Sequence, residues 1–212
     1  MKSLISSENL IRWNRKLHIL AGLFLLFFIL LFSFSGLLLN HGQWKFASFW
    51  KERKEAEFDT LLPVPVTRDN SSLIGYYMKE LNITGEISEV RSAPESISFR
   101  VARPGLIRNI SADLKTGNCV IKEMEFNRWG KIRSLHTFNG SDKAHPEAKP
   151  NWSVTNIWRL TMDIVAAGLI FLCLSSWIMW YKVRKNYPAG TILLILGIIG
   201  GIVFVFLIKF IR

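Results

Sequence analysis

Residues 17–39, LHILAGLFLLFFILLFSFSGLLL, contain no Asp, Glu, Lys or Arg. About 20 apolar residues at roughly 1.5 Å each cross a hydrocarbon core of about 30 Å, so this run is long enough to span a bilayer as a helix. It exceeds the 7 to 15 apolar residues of a signal peptide and no A-x-A cleavage site follows, which predicts an uncleaved anchor. Two more runs, centred on residues 164–181 and 191–208, follow near the other end. With their flanks they predict spans at 155–181 and 189–210. The expected organisation is a cytoplasmic N-terminus at 1–16, spans at 17–39, 155–181 and 189–210, and a cytoplasmic turn at 182–188. A polar domain with flanking helical segments fills 40–152.

The formal net charge of +11 raises nucleic acid as a partner, until it is divided along the chain. The polar region 40–152 holds 17 Lys and Arg against 14 Asp and Glu, leaving only +3. Most of the excess lies beside the apolar runs, in Lys2, Arg12, Arg15 and Lys16, in Lys182, Arg184 and Lys185, and in Lys209 and Arg212. Charge in those places meets anionic headgroups, so a lipid bilayer is the expected partner and nucleic acid is not. Short basic segments stay cytoplasmic whereas long loops cross almost regardless of charge. Residues 40–152 are therefore expected outside. Trp13, Trp44, Trp152, Trp158, Trp177 and Trp180 fall near the expected span ends, where an indole favours the interface.

Between residues 61 and 126 the apolar pattern changes. Pro63 and Pro65 favour extended chain. Asp69 or Ser71 can cap a helix through Leu81, with Leu73, Ile74, Tyr77, Met78 and Leu81 at spacings of three and four. Four alternating segments follow, at 87–91, 96–102, 107–114 and 119–126, separated by Pro- and Gly-bearing turns that predict antiparallel hairpins. Asp113 stands where it can accept turn N–H groups before Gly117. The expected fold class is thus an α-helical integral membrane protein with three transmembrane helices and a small α+β extracytoplasmic domain, one helix on a four-stranded antiparallel sheet.

These elements carry a resemblance. A helix and strands ending in Asp113-x-x-Thr116-Gly117-x-x-Val120 resemble the end of a PepSY domain. Arg15-Lys16-Leu17-His18 with Gly22 and Ser35-Gly36-Leu37-Leu38-Leu39 resemble the first span of PepSY-associated transmembrane proteins. Leu135-His136-Thr137-Phe138-Asn139-Gly140, then Asp163 and Ser175-Ser176-Trp177-Ile178-Met179-Trp180, are similar to their second. The likeness covers roughly residues 12–182, with Ser176 where that family usually has glycine and with fewer spans than the related siderophore-iron reductases.

Within the chain Leu17-His18-x-x-x-Gly22 is echoed by Leu135-His136-x-x-x-Gly140, and Ser35-Gly36 by Ser175-Ser176, as in an inverted repeat. Gly22, Ser33, Ser35, Gly36, Gly168, Ser175 and Ser176 permit close helix approach. Gly197, Gly200 and Gly201 can do the same on the third span.

All four histidines, His18, His41, His136 and His145, lie near expected membrane boundaries. Facing histidines can hold haem b, and the family resemblance implies such a role in ferric-siderophore reduction. His41 with His136 is the candidate outer pair and His145 the alternate. His18 has no inner histidine partner, so an inner haem would have to be shared between subunits of a homo-oligomer. Helix capping or headgroup hydrogen bonding is the other role open to these rings. Arg159 and Asp163, four residues apart, are a candidate membrane ion pair. G-x-S-x-G, H-E-x-x-H, a phosphate-binding glycine loop and a metal-spaced Cys pair are all missing from the sequence, so no catalytic or metal site is expected beyond haem iron. The resulting expectation is a PepSY-associated membrane protein whose outer domain binds or regulates a protein partner, with haem-based electron transfer as the alternative.

Overall fold

A computed structural model of the chain describes residues 7–140, 149–183 and 188–210. His145 and the basic turn residues Arg184 and Lys185 lie outside the described residues. The chain divides into two compact units, Met1–Phe27 with Ile164–Arg212, and Phe28–Asp163.

Three helices are long and apolar enough to cross a membrane: α1 (Ser7–Asn40), α4 (Ser153–Val183) and α5 (Pro188–Phe210). Their large apolar side chains are mostly exposed, and α5 buries none of its residues. Such a surface is untenable in water and ordinary in hydrocarbon. In the first unit α1 and α4 run antiparallel, with Gly22 facing Leu172 and Leu25 facing Gly168. A Cβ on Gly168 would come within 2.4 Å of the Leu25 Cδ1, so glycine is what lets these helices close. Gly197, Gly200 and Gly201 have no such neighbour within 4 Å.

The second unit holds a sheet of five antiparallel strands rather than the expected four: β1 (Lys54–Leu61), β2 (Glu86–Ala93), β3 (Ser96–Arg103), β4 (Leu106–Asp113) and β5 (Asn118–Glu125). Their spatial order is β1-β5-β4-β3-β2. The extra strand, β1, reads Lys-Glu-Ala-Glu-Phe-Asp-Thr-Leu and is exposed along nearly its whole length. As an edge strand with no buried face it shows no apolar alternation, and its register is supported instead by charge, Lys122 reaching Glu57 at 3.2 Å.

Helix α2 (Asn70–Glu80) begins at Asp69, whose carboxylate accepts the Ser72 N–H at 3.0 Å. It ends through the left-handed Asn82, with the Ile83 N–H closing back on the Met78 carbonyl. Leu73, Ile74 and Tyr77 pack with Ile97, Phe99, Val101, Ile110, Ala112, Cys119 and Ile121 to form the core. The alternate residues of the strands leave the other sheet face polar. At the β4–β5 turn the Asp113 carboxylate accepts the Lys115 and Thr116 N–H groups at 2.7 and 3.1 Å. Gly117 takes φ +78°, and a Cβ there would lie 2.3 Å from the Leu62 carbonyl oxygen. The Gly117 carbonyl in turn accepts the Leu62 N–H, fastening the end of β1.

Candidate functional site

The histidines are placed by two short patterns of side chains that repeat, one in each unit. In the first unit, His18 on α1 meets Ser175 on α4, with Nδ1 2.6 Å from Oγ. One turn earlier, Asn14 donates its amide N–H to the Ser175 carbonyl at 3.0 Å. Ser175 is fully buried and donates its own hydroxyl to the Leu172 carbonyl at 3.0 Å.

In the second unit, α3 (Arg128–Thr137) starts at Asn127, whose side chain accepts the Gly130 N–H at 3.0 Å. Trp129, Arg133 and His136 share one face of α3 at helical spacing and meet α1. The Trp129 ring lies 6.3 Å from that of Phe34, Arg133 donates to the Leu38 carbonyl at 3.2 Å, and His136 Nδ1 lies 2.9 Å from Ser35 Oγ. Buried Ser35 donates to the Phe32 carbonyl at 3.1 Å. The His136 ring packs edge-on to Phe32 at 5.6 Å, and its Cε1 would sit 3.3 Å from a Cβ at Gly36. Gly36 therefore opens the room that the imidazole fills.

The echo read from the sequence is thus a contact pattern: each Leu-His segment meets the serine of the other motif. In both pairs Nδ1 is engaged, and Nε2 makes no hydrogen bond among the described residues.

His41 is placed differently. It follows the last turn of α1, half-buried, and stacks flat on Trp44 with ring centroids 4.3 Å apart. Arg159 and Asp163 both point to the exposed surface of α4, and the expected ion pair is not among those formed by the described residues.

Sequence reasoning missed the anchor that joins the sheet to α4. Glu86, at the start of β2, is almost fully buried, and its carboxylate accepts the Asn151 and Trp152 N–H groups at 2.7 and 3.1 Å. These are orphan donors just before α4, where negative charge complements the helix dipole. The Asn151 side chain extends the junction by pairing with the backbone of Ile87 in both directions, at 2.9 and 2.8 Å. Nothing in the local sequence of β2 marks Glu86, because its partners lie 65 and 66 residues away.

The open sheet face carries a polar row that crosses every strand. Register places Glu57 opposite Lys122, Lys122 opposite Asn109 and Asn109 opposite Arg100. Arg100 donates to Asn109 at 3.0 Å and pairs with Glu89 on β2. A depression of about 410 Å³ lies on the β1 side of Asn109 and one of about 300 Å³ on the β2 side.

Three apolar helices and a separate antiparallel sheet define a multi-pass membrane protein with one folded polar domain. The chain belongs to the PepSY_TM-like family, whose model matches residues 10–211. No curated protein and no solved structure matches it.

Proposed function

We propose that this protein is a non-catalytic, PepSY-associated component of a bacterial cytoplasmic membrane. In this reading the N-terminus is cytoplasmic, residues 40–152 are outside, and the sheet domain binds or regulates a protein partner. One observation carries it: α2 covers a single face of the sheet, while the opposite face presents the row Glu57, Lys122, Asn109, Arg100 and Glu89. Two ion pairs joined through an amide in a row across five strands suit recognition of a protein surface better than chemistry on a small molecule. A photo-crosslinking residue at Asn109 in native membranes should give one discrete protein adduct, which the exchange Glu57→Lys with Lys122→Glu weakens. If no adduct forms from either depression, the binding reading fails. For the topology, protease added to right-side-out vesicles should cut between residues 43 and 150; complete protection would overturn it.

A second reading is favoured by the histidine geometry. Haem b would serve electron transfer or iron reduction, ligated by His136 with His41 or His145, and by His18 where subunits share an inner haem. A ligating imidazole is typically anchored through its other ring nitrogen, and His18 and His136 are both held at Nδ1 by a serine, with Nε2 unbonded. The donor set fits an axial ligand. A Soret band that shifts on dithionite reduction, and is lost in His136→Ala, is the expected result; an absorbance spectrum without that band overturns this reading.

A further inference from the structure

We infer that Ser35 and Ser175 are positioning residues that fix the ring tautomers of His136 and His18, so that each imidazole presents Nε2 as an uncommitted lone pair. A serine hydroxyl has one proton and two lone pairs, and a carbonyl oxygen can only accept. Ser35 Oγ lies 3.1 Å from the Phe32 carbonyl and Ser175 Oγ 3.0 Å from the Leu172 carbonyl, so each hydroxyl proton points along its own helix. What each serine offers the imidazole is then a lone pair. The hydrogen in the bond must come from the ring, through Nδ1.

A neutral imidazole carries one ring hydrogen, so placing it on Nδ1 leaves Nε2 without one. The opposite arrangement turns the serine proton toward Nδ1 and moves the ring hydrogen to Nε2. It abandons the carbonyl contact and gives the ring an N–H donor that has no acceptor among the described residues.

The same device is built twice from different elements. In both copies a second donor on the histidine's own helix ties down the backbone of the serine's helix: Asn14 to the Ser175 carbonyl, and Arg133 to the Leu38 carbonyl. Each serine is fully buried, so water cannot compete for it. The electron pair at each Nε2 suits an acceptor of that pair, either a transition-metal centre or a proton. The inference concerns the chain's own residues, and its bearing on electron transfer rests on the haem reading.

The test is ¹⁵N NMR of the full chain with labelled histidine, in nanodiscs, near pH 8, with signals assigned from His18→Gln and His136→Gln. The expected spectrum shows both rings protonated at Nδ1 and unprotonated at Nε2. Ser35→Ala should scramble the His136 signal and leave that of His18 in place. Ser175→Ala should do the reverse. Ser35→Thr and Ser175→Thr, which keep a hydroxyl able to reach the same carbonyl, should restore the fixed tautomer. The undisturbed ring in each variant reports that the protein is folded. An Nε2-protonated ring in the unsubstituted protein, or a His136 signal indifferent to Ser35→Ala, overturns the inference. Hemin titration of the same sample separates the two ideas, since fixed tautomers without a Soret band sink the haem reading and leave the tautomer assignment standing.

Discussion

The sheet domain and the three long helices are built by opposite rules. In the sheet, Ile97, Phe99 and Ile110 are sealed under α2 and polar residues face out. Along α5 no described side chain is buried and nearly all are apolar. Apolar content therefore carries fold information in the domain and little beyond solvent choice in the helices. In the helices the specific information sits at a few small or polar positions, Gly22, Ser35, Gly168 and Ser175, where two helices touch.

The sharpest break of this contrast is a matched pair of truncations. Ile97→Ala should destabilise the domain by about 2–5 kcal/mol, the range for a fully buried aliphatic side chain, while Leu196→Ala on α5 should change it by less than about 0.5 kcal/mol. Denaturant titration of the sheet signal in detergent reads both. Comparable losses from the two would erase the contrast. Glu86→Ala comes next. It strands two N–H groups at the start of α4 and should cost about 3 kcal/mol, seen as faster amide exchange at 151–153 without loss of protection in the centre of α4.

Gly117→Ala should cost roughly 1–3 kcal/mol, because a side chain there combines a left-handed backbone with a clash against the Leu62 carbonyl. Protection of β1 should fall most, since Gly117 holds its end. Tyr77→Phe has the opposite sign. The Tyr77 hydroxyl is buried with no hydrogen-bond partner among the described residues, so removing it should stabilise the domain by about 1 kcal/mol. A loss of stability would mean that the hydroxyl is bonded through water.

How much of this the sequence revealed follows the same division. Spans and core strands were legible because each has a periodicity set by one solvent boundary. Asp113 and Gly117 were legible because a tight turn is solved locally. Strand β1 was not, since an edge strand held by Glu57 and Lys122 has no apolar period. Glu86 and Arg133 were not, since each acts on backbone groups distant in sequence. The histidine echo was visible as a motif, and only the structure showed that each histidine pairs with the serine of the opposite copy.

The smallest expected effect uses pH to separate the two regions. N–H groups of Lys115 and then Thr116 hold the Asp113 carboxyl below its ordinary value of 3.8, and the Ser72 N–H does the same for Asp69 at the start of α2. A carboxyl depressed on folding contributes stability that is present above its unfolded value and is lost as pH falls through the folded one. The loss therefore begins just below pH 4 and deepens with further acid. Both groups are solvent-exposed, so their contribution is modest and salt-sensitive. Acid should thus loosen the β4–β5 turn and the first turn of α2 while the long helices, whose described middles carry almost no carboxylates, keep their protection. Asp113→Asn should flatten the acid limb of the domain's stability profile and leave its plateau near neutral pH lower. An unchanged limb in that variant, measured by amide exchange between pH 3 and 6, would show that the turn bonds add nothing to the folded domain.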